Sequence, residues 1–488
     1  MPVSYACLFL SVPLTIDGKE GFHLLRKDLF NSLPEEWSQD LLPDIQQRVQ
    51  SAGQKVVVLD DDPTGTQTVH GIPVLTQWSI DSLKTELHTR YPAFYILTNS
   101  RSMTAPVACR LNYEIGANLK TAAEKANVDI RIISRSDSTL RGNFPDEVDA
   151  LADALEAGGH PYLIAPCFFE GDRYTVHDIH YVAENDVMIP AAETVYARDV
   201  AFGYHHSNLK KWVEEKTRGR IPCHQVAAVS LEDIREGGPG KVKKILQTLP
   251  PGSACVVNAA SYRDLEVVVR GLLEAEDSGC RFLFRTAASF ARVRCGIVPQ
   301  PLLDSRDLIT GNEYGGLFVV GSYVPKTNQQ VEALLSGNRV VAIEIDVNHL
   351  LDPMRQKQEI EKAITDMNRA IGQGRNTVVY TSRDLISGRD SAHSLEIGQQ
   401  VSDSLIQIVS ALEHQPRYLL AKGGITSSNI ATAGLGVRRA LILGQVLPGV
   451  PVWKLGNETR YPGMAYIVFP GNVGGKNALV QIEKHLKA

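Results

Sequence analysis

The stretch Val56-Val57-Val58-Leu59-Asp60-Asp61-Asp62-Pro63-Thr64-Gly65-Thr66 decides how this chain is read. Four consecutive apolar residues without alternation describe a strand buried on both faces, as in a parallel sheet covered by helices. Three carboxylates, a proline, two hydroxyls and a glycine then follow at its carboxyl end, where open α/β sheets bind ligands. The same residues would suit an Asp-rich turn with a helix N-cap. What favours chemistry is that polar clusters recur in the same place after later apolar runs.

Working outward from residues 55–59, strand-like runs recur at 94–98, 130–134, 162–165, 254–258 and 282–285. Between them, apolar residues at three- and four-residue steps predict helices over 105–126, 146–156 and 265–276. A break rich in Pro and Gly, with Pro299, Pro301, Gly311, Gly315 and Gly316, reads as a linker over 299–316. Beyond it, strands are expected at 317–320, 340–345, 377–380, 418–421, 441–443 and 466–469, with helices at 356–371 and 394–412. The alternation predicts an α/β fold: two α/β domains with mainly parallel sheets facing each other across an interdomain cleft. The expected organisation is a partly helical N-terminal extension over 1–53, a first domain over 54–298, the linker, and a second domain over 317–488.

Composition narrows the function class. The 488 residues are 43% hydrophobic and 22% charged, enough apolar residue to bury a large core. A net charge of −5 argues against a general nucleic-acid or membrane-surface binder. No apolar run approaches the ~20 residues that span a bilayer. Residues 1–13 lack a basic start and a cleavage site, so no signal peptide is expected. The seven cysteines are scattered without a Cys-x-x-Cys pair; Cys167 and Cys255, in or beside apolar runs, read as reduced packing residues, and a cytoplasmic location is expected.

Three further clusters follow strands in the first half: Thr98-Asn99-Ser100-Arg101, the segment from Ser134 to Asn143, and the segment from Ala165 to Thr175. They supply Arg101, Arg135, Arg141 and Arg173, whose planar forks suit a carboxylate or phosphate, among Asn, Ser and Asp groups that suit sugar hydroxyls. Arg141 and Arg173 could equally pair with Asp137 and Asp172, and Ser138 or Thr139 could cap a helix. The second half carries glycine turns after strands: Gly321-Ser322-Tyr323, Lys422-Gly423-Gly424-Ile425-Thr426-Ser427-Ser428 and Pro470-Gly471-Asn472-Val473-Gly474-Gly475-Lys476. Such turns bring backbone N–H groups to phosphate oxygens, although tight turns and helix caps use glycine too. The P-loop and dinucleotide-binding fingerprints are both missing. His177 and His180 lack partners at zinc spacing, so no protein metal site is assigned; the only cation inferred is Mg2+ carried by a nucleotide.

Four motifs carry a resemblance over about residues 54–488. They are Asp61-Asp62-Pro63-Thr64-Gly65, Asp137-Ser138-Thr139-Leu140-Arg141-Gly142-Asn143, Gly171-Asp172-Arg173-Tyr174-Thr175, and Gly423-Gly424-Ile425-Thr426 with Gly471-Asn472-Val473-Gly474. In their order and spacing the chain resembles the four-carbon acid-sugar kinase family. The resemblance implies ATP-dependent phosphorylation of a hydroxyl on a small sugar acid of the tetronate or 3-oxo-tetronate class, in carbohydrate-acid catabolism. The first domain would bind the sugar acid and the second ATP, with Mg2+. By motif, Thr64, Gly65, Arg101, Asp137, Ser138, Arg141, Asn143 and Arg173 would contact substrate. Ser322, Gly423, Gly424, Ile425, Thr426, Gly471 and Gly474 would contact ATP. Phosphoryl transfer needs mostly positioning and charge neutralisation, so Asp61 or Asp62 would accept the hydroxyl proton while the other orients substrate or Mg2+.

The chain departs from the family pattern at Ile425, where an acidic residue is usual, at Ser428-Asn429, where Gly-Ala is typical, at Pro63, and in a longer segment over 457–463. Small-molecule partners are expected, with no nucleic acid and no membrane; a homodimer is left open. Two alternatives stand beside the kinase. One is a haloacid-dehalogenase-like phosphatase using Asp60 and Asp62, and the other is a sugar-acid-binding protein without catalysis.

Overall fold

The computed structural model describes residues 23–309, 311–322, 324–383, 391–471 and 473–486. In chain order the first strands are β1 (Leu24–Leu25), β2 (Gln54–Asp60), β3 (Pro73–Leu75), β4 (Ala93–Leu97), β5 (Asp129–Arg135) and β6 (Tyr162–Ala165). Next come β7 (Arg173–Val176), β8 (Ile179–Glu184), β9 (Val187–Pro190), β10 (Ala227–Val229), β11 (Ala254–Val257) and β12 (Leu283–Thr286). The last are β13 (Leu317–Val320), β14 (Val341–Ile345), β15 (Thr377–Thr381), β16 (Tyr418–Lys422), β17 (Arg439–Leu447), β18 (Val450–Leu455) and β19 (Ala465–Phe469).

Two α/β halves are present, as the alternation predicts, but their sheets are continuous. One 15-stranded sheet runs β10-β11-β6-β12-β5-β2-β4-β3-β17-β18-β19-β16-β13-β15-β14. From β10 to β3 all pairs are parallel, and from β19 to β14 they are parallel again. The hairpin of β17 and β18 joins the blocks, with Ala440 opposite Val74 across the junction. Because the hairpin reverses chain direction, the two blocks run in opposite senses. Strand-to-strand twist of about 20–25° per step, together with register breaks in β17 between Ile442 and Gly444 and between Gln445 and Leu447, turns the sheet between β2 and β16. Both sets of carboxyl ends thereby reach one cavity.

The fully buried Val57 and Val58 of β2 pack into different apolar clusters, on opposite faces of the sheet, which is why this strand reads as an unbroken apolar run. The helix Ala105–Ala126 turns Ala108, Ile115, Leu119 and Ala122 inward at helical spacing and stops at Asn127, which takes the left-handed conformation. Sequence periodicity found this helix, β6 and β13 at their observed bounds. It did not find β7, β8 and β9, which with β1 form a small four-stranded antiparallel sheet beside the main one. Tight reversals at His177-Asp178 and Asn185-Asp186, all with positive φ, cut these strands to between four and six residues, too short for periodicity to show. The segment read as a linker packs closely: Leu303 N donates to Gln445 O at 2.8 Å and Leu308 is buried. Among the described residues, no helix is long and apolar enough to cross a membrane.

Candidate active site

The three carboxylates at the carboxyl end of β2 meet different surroundings: Asp60 is the last residue of the strand, and Asp61 and Asp62 follow it into the turn. Asp60 points back into the sheet, 3.2 Å from Arg135, and is 1% exposed. Burial pushes its carboxyl up to about 7 despite that arginine. Gly65 covers it so closely that a Cβ there would overlap the carboxylate, which is why this turn requires glycine. The phosphatase alternative needs Asp60 as an exposed nucleophile, and it is sealed from any substrate.

Asp61 is also buried and accepts a hydrogen bond from Ser136 Oγ at 2.6 Å. Asp62 caps the turn Pro63–Thr66, accepting from Thr64 N at 2.7 Å and from the Thr64 hydroxyl, and it reaches the cavity. Burial alone would raise its pKa, but Arg101 and Thr64 outweigh it and hold the carboxyl below its ordinary range. Arg101 pairs with Asp62, lies 3.0 Å from Asp137 and stands 3.9 Å from Asp61.

The heptapeptide after β5 is held from beneath. Arg285 donates to the carbonyls of Asp137 at 3.1 Å and Arg141 at 2.9 Å, and Tyr204 OH to that of Thr139 at 2.8 Å. His180 Nε2 lies 2.7 Å from Ser138 O, so this nitrogen carries the proton and Nδ1 accepts from Thr175 Oγ1 at 3.0 Å. Burial lowers the His180 pKa to about 4, keeping the ring neutral. This histidine supports the loop. Among the described residues, no group of three or more His, Cys, Asp or Glu is arranged to hold a metal ion.

The arginines are unequally engaged. Arg101 is ringed by Asp61, Asp62 and Asp137; Arg141 lies 2.8 Å from Asp137 and 3.5 Å from Asp199. Asp137, between two guanidiniums, stays ionised far below the usual carboxylate range although burial opposes it. Arg173 has no carboxylate within ion-pair distance among the described residues; it sits 5.9 Å from the Tyr196 ring centroid, with Arg141 5.2 Å from the same ring. A guanidinium fork without a carboxylate partner, at the edge of a polar cavity, is suited to an incoming anion.

Across the cavity stand the glycine turns of the second half. Gly423 ends β16 with φ +113°, and the helix Gly424–Asn429 starts at once. Ser427 N is bonded to Gly423 O at 2.9 Å, so the amides of Gly424, Ile425 and Thr426 form the open first turn, which favours negative charge. Lys422, fully buried, donates to Pro470 O at 3.0 Å and ties this turn to the Pro470-Gly471 turn. Gln330 holds the far end of that turn through the carbonyls of Val473, Gly474 and Gly475.

The cavity between the halves measures about 490 Å³. Of the residues singled out from sequence, Asp62, Thr64, Arg101, Asp137, Ser138, Arg141 and Arg173 line one wall; Ser322, Gly423, Gly424, Ile425 and Gly471 line the other. Five stand behind the walls: Asp61, Gly65, Asn143, Thr426 and Gly474 do not line the cavity. Asn143 instead donates to Ser100 O at 3.1 Å. Tyr323 and Asn472, parts of two glycine turns, lie outside the described residues. Sequence reading missed Tyr196, Asp199 and Phe202, which come from a segment without a strand-end position. Nothing in local sequence marks them, since only the fold brings that segment over Arg141.

A model of a sugar-binding N-terminal domain matches residues 56–294, and one of a nucleotide-binding C-terminal domain matches residues 317–479. A D-erythronate kinase from Heliobacterium modesticaldum (strain ATCC 51547 / Ice1) is 26% identical over 315 residues, 63% of this chain and 66% of that protein, just under two thirds of its length. A solved structure from Salmonella typhimurium LT2, provisionally described as a tRNA synthase, has a TM-score of 0.64 at 16% identity, covering 89% of this chain and 100% of that one. Another, a Haemophilus influenzae protein from a family defined as a domain of unknown function, has a TM-score of 0.59 at 17% identity, covering 88% and 100%. The two structures share the fold. With both domain models matched in order, the chain belongs to the four-carbon acid-sugar kinase family.

Proposed function

We propose that this protein is an ATP-dependent kinase acting on a hydroxyl of a small sugar acid of the tetronate or 3-oxo-tetronate class. The observation that carries the reading is the apposition of Asp62 to the Gly423-Gly424 turn across one cavity: a Cβ on Gly424 would lie 3.2 Å from Asp62 Oδ2. A sugar-acid hydroxyl beside Asp62 and a terminal phosphate on the glycine turn would then be neighbours. The matched sugar-binding and nucleotide-binding domain models and the D-erythronate kinase relative agree with this division.

In this reading Arg173 anchors the substrate carboxylate, aided by Arg141, while Asp137 and Ser138 hydrogen-bond sugar hydroxyls. Asp62 orients the attacking hydroxyl and takes its proton. Its low basicity is compatible with that role, because a loose phosphoryl-transfer transition state demands positioning more than a strong base. The open amides of the Gly424 turn and the Ser322 hydroxyl hold nucleotide phosphates. The donor set fits a metal that arrives with the nucleotide better than an all-protein cage, since Asp62 and Asp137 are already committed to arginines. Mg2+ bound to the phosphates would neutralise charge during transfer.

The test is to incubate the purified protein with Mg2+-ATP and a panel of four- and five-carbon sugar acids, measuring ADP and phosphorylated acid. Formation of one phosphorylated tetronate supports the reading. Binding of sugar acid without ATP-dependent product would instead support the non-catalytic alternative.

A further inference from the structure

The match to the sugar-binding domain begins at residue 56, yet the segment before it packs against the residues that flank Arg173 in the candidate substrate site. Strand β1 pairs antiparallel with β9, Leu24 opposite Met188 and Leu25 opposite Val187, and Arg26 N donates to Asp186 O at 2.8 Å. From this anchorage the Arg26 guanidinium reaches both sequence neighbours of Arg173. It lies 2.9 Å from Asp172 Oδ1, 3.4 Å from Tyr174 OH and 5.6 Å from the Tyr174 ring centroid.

The grip is reinforced on each side. Tyr174 OH donates to Asp172 Oδ1 at 3.1 Å; Phe30, from the helix Arg26–Asn31, meets the Tyr174 ring edge-on at 5.2 Å, and Phe169 stacks on it at 5.7 Å. Arg173 N is itself bonded to Phe168 O at 2.9 Å. Pairing of β7 with β8 and the Phe168 bond set the Arg173 backbone from within the matched domain. The grip of Arg26 and Phe30 on its two flanking side chains adds contacts that originate outside it.

We propose that Arg26 is a positioning residue for sugar-acid recognition, acting through Asp172 and Tyr174 to aim Arg173 at the substrate carboxylate. The inference rests on the reading of Arg173 as the carboxylate anchor. It assigns the N-terminal segment a role in substrate affinity as well as in stability.

Steady-state kinetics on the full chain with D-erythronate and Mg2+-ATP tests it. Arg26→Ala is expected to raise KM for D-erythronate about five-fold, the size that a partly exposed ion pair supports. Turnover and KM for ATP should stay within about two-fold, since uniform binding alone is lost. Arg26→Lys should recover most of the loss. Asp172→Asn should reproduce it, and supplies the test if the Arg26 variant fails to fold. In an Arg173→Ala background, Arg26→Ala should add nothing.

If Arg173→Ala raises KM but neither Arg26→Ala nor Asp172→Asn does, the positioning role is overturned and the anchor stands. An undiminished effect of Arg26→Ala in the Arg173→Ala background overturns it equally. If Arg173→Ala leaves KM unchanged, the anchor reading falls and takes this inference with it.

Discussion

Gly424 stands against the carboxylate of Asp62, with room for no more than a tight methyl contact, 3.2 Å from Oδ2, between the two halves of the molecule. Its backbone is not in the left-handed region, so alanine is conformationally acceptable there. Gly424→Ala should therefore fold with an unchanged Tm. It should lower kcat/KM by about ten-fold or more, because the methyl group pushes apart groups that must approach. Thermal melting alongside kinetics checks this, and wild-type kinetics would show that the two walls do not meet in the reaction.

Asp62 and Asp61 should separate on substitution. Asp62→Asn should reduce turnover about 100- to 10,000-fold, the range for a positioned proton acceptor, while nucleotide affinity by calorimetry stays unchanged. Asp61→Asn should cost less activity, because that carboxylate lies behind the wall and bonds to Ser136.

Arg101 and Arg173 should fail in different ways. Arg101→Ala strands Asp61, Asp62 and Asp137 in a buried site without their shared cation, and should destabilise the fold by about 3–5 kcal/mol in denaturant unfolding. Arg173→Ala leaves no carboxylate unpaired. It should keep its stability and raise KM for the sugar acid about 10- to 100-fold, the value of a charge-assisted hydrogen-bonded pair.

Stability should fall with pH through the neutral range because of Glu147, with Asp60 acting in the same direction. The Glu147 carboxyl accepts from Ser100 Oγ at 3.0 Å, and burial, with the charge of Asp61 adding, pushes it up from 4.5 to about 7. The folded state therefore holds a proton that the unfolded chain releases. Its stabilisation is complete below the unfolded value and is lost as pH rises through the folded one. Melting curves from about pH 5 to about pH 8 should show a smaller decline in Tm for Glu147→Gln than for wild type. Asp62 and Asp137 act with the opposite sign, since their lowered pKa values stabilise above the ordinary carboxylate range and that contribution is lost on acidification.

Much of the fold was legible because local physics wrote it into single segments. Strands buried on both faces, such as β2 and β13, carry unbroken apolar runs, and the helix Ala105–Ala126 repeats its apolar face at helical spacing. Strand β17 was seen only as residues 441–443, because its alternately buried and half-exposed residues dilute the apolar signal. The reversals at His177-Asp178 and Asn185-Asp186 hid the small antiparallel sheet by dividing it into strands too short to show a period.

What the amino-acid sequence determined by itself was the set of parts: parallel strands, their polar carboxyl ends, and the glycine turns, each specified by neighbours within a few positions. Which carboxylate faces the cavity and which is sealed, which arginine has no carboxylate partner among the described residues, and how Tyr196 and Asp199 come over Arg141 were decided only by the tertiary structure. Burial and ion pairing depend on groups brought from far along the chain. The twist that turns the two oppositely running blocks of one sheet toward one cavity accumulates over many strands and is written in no one of them.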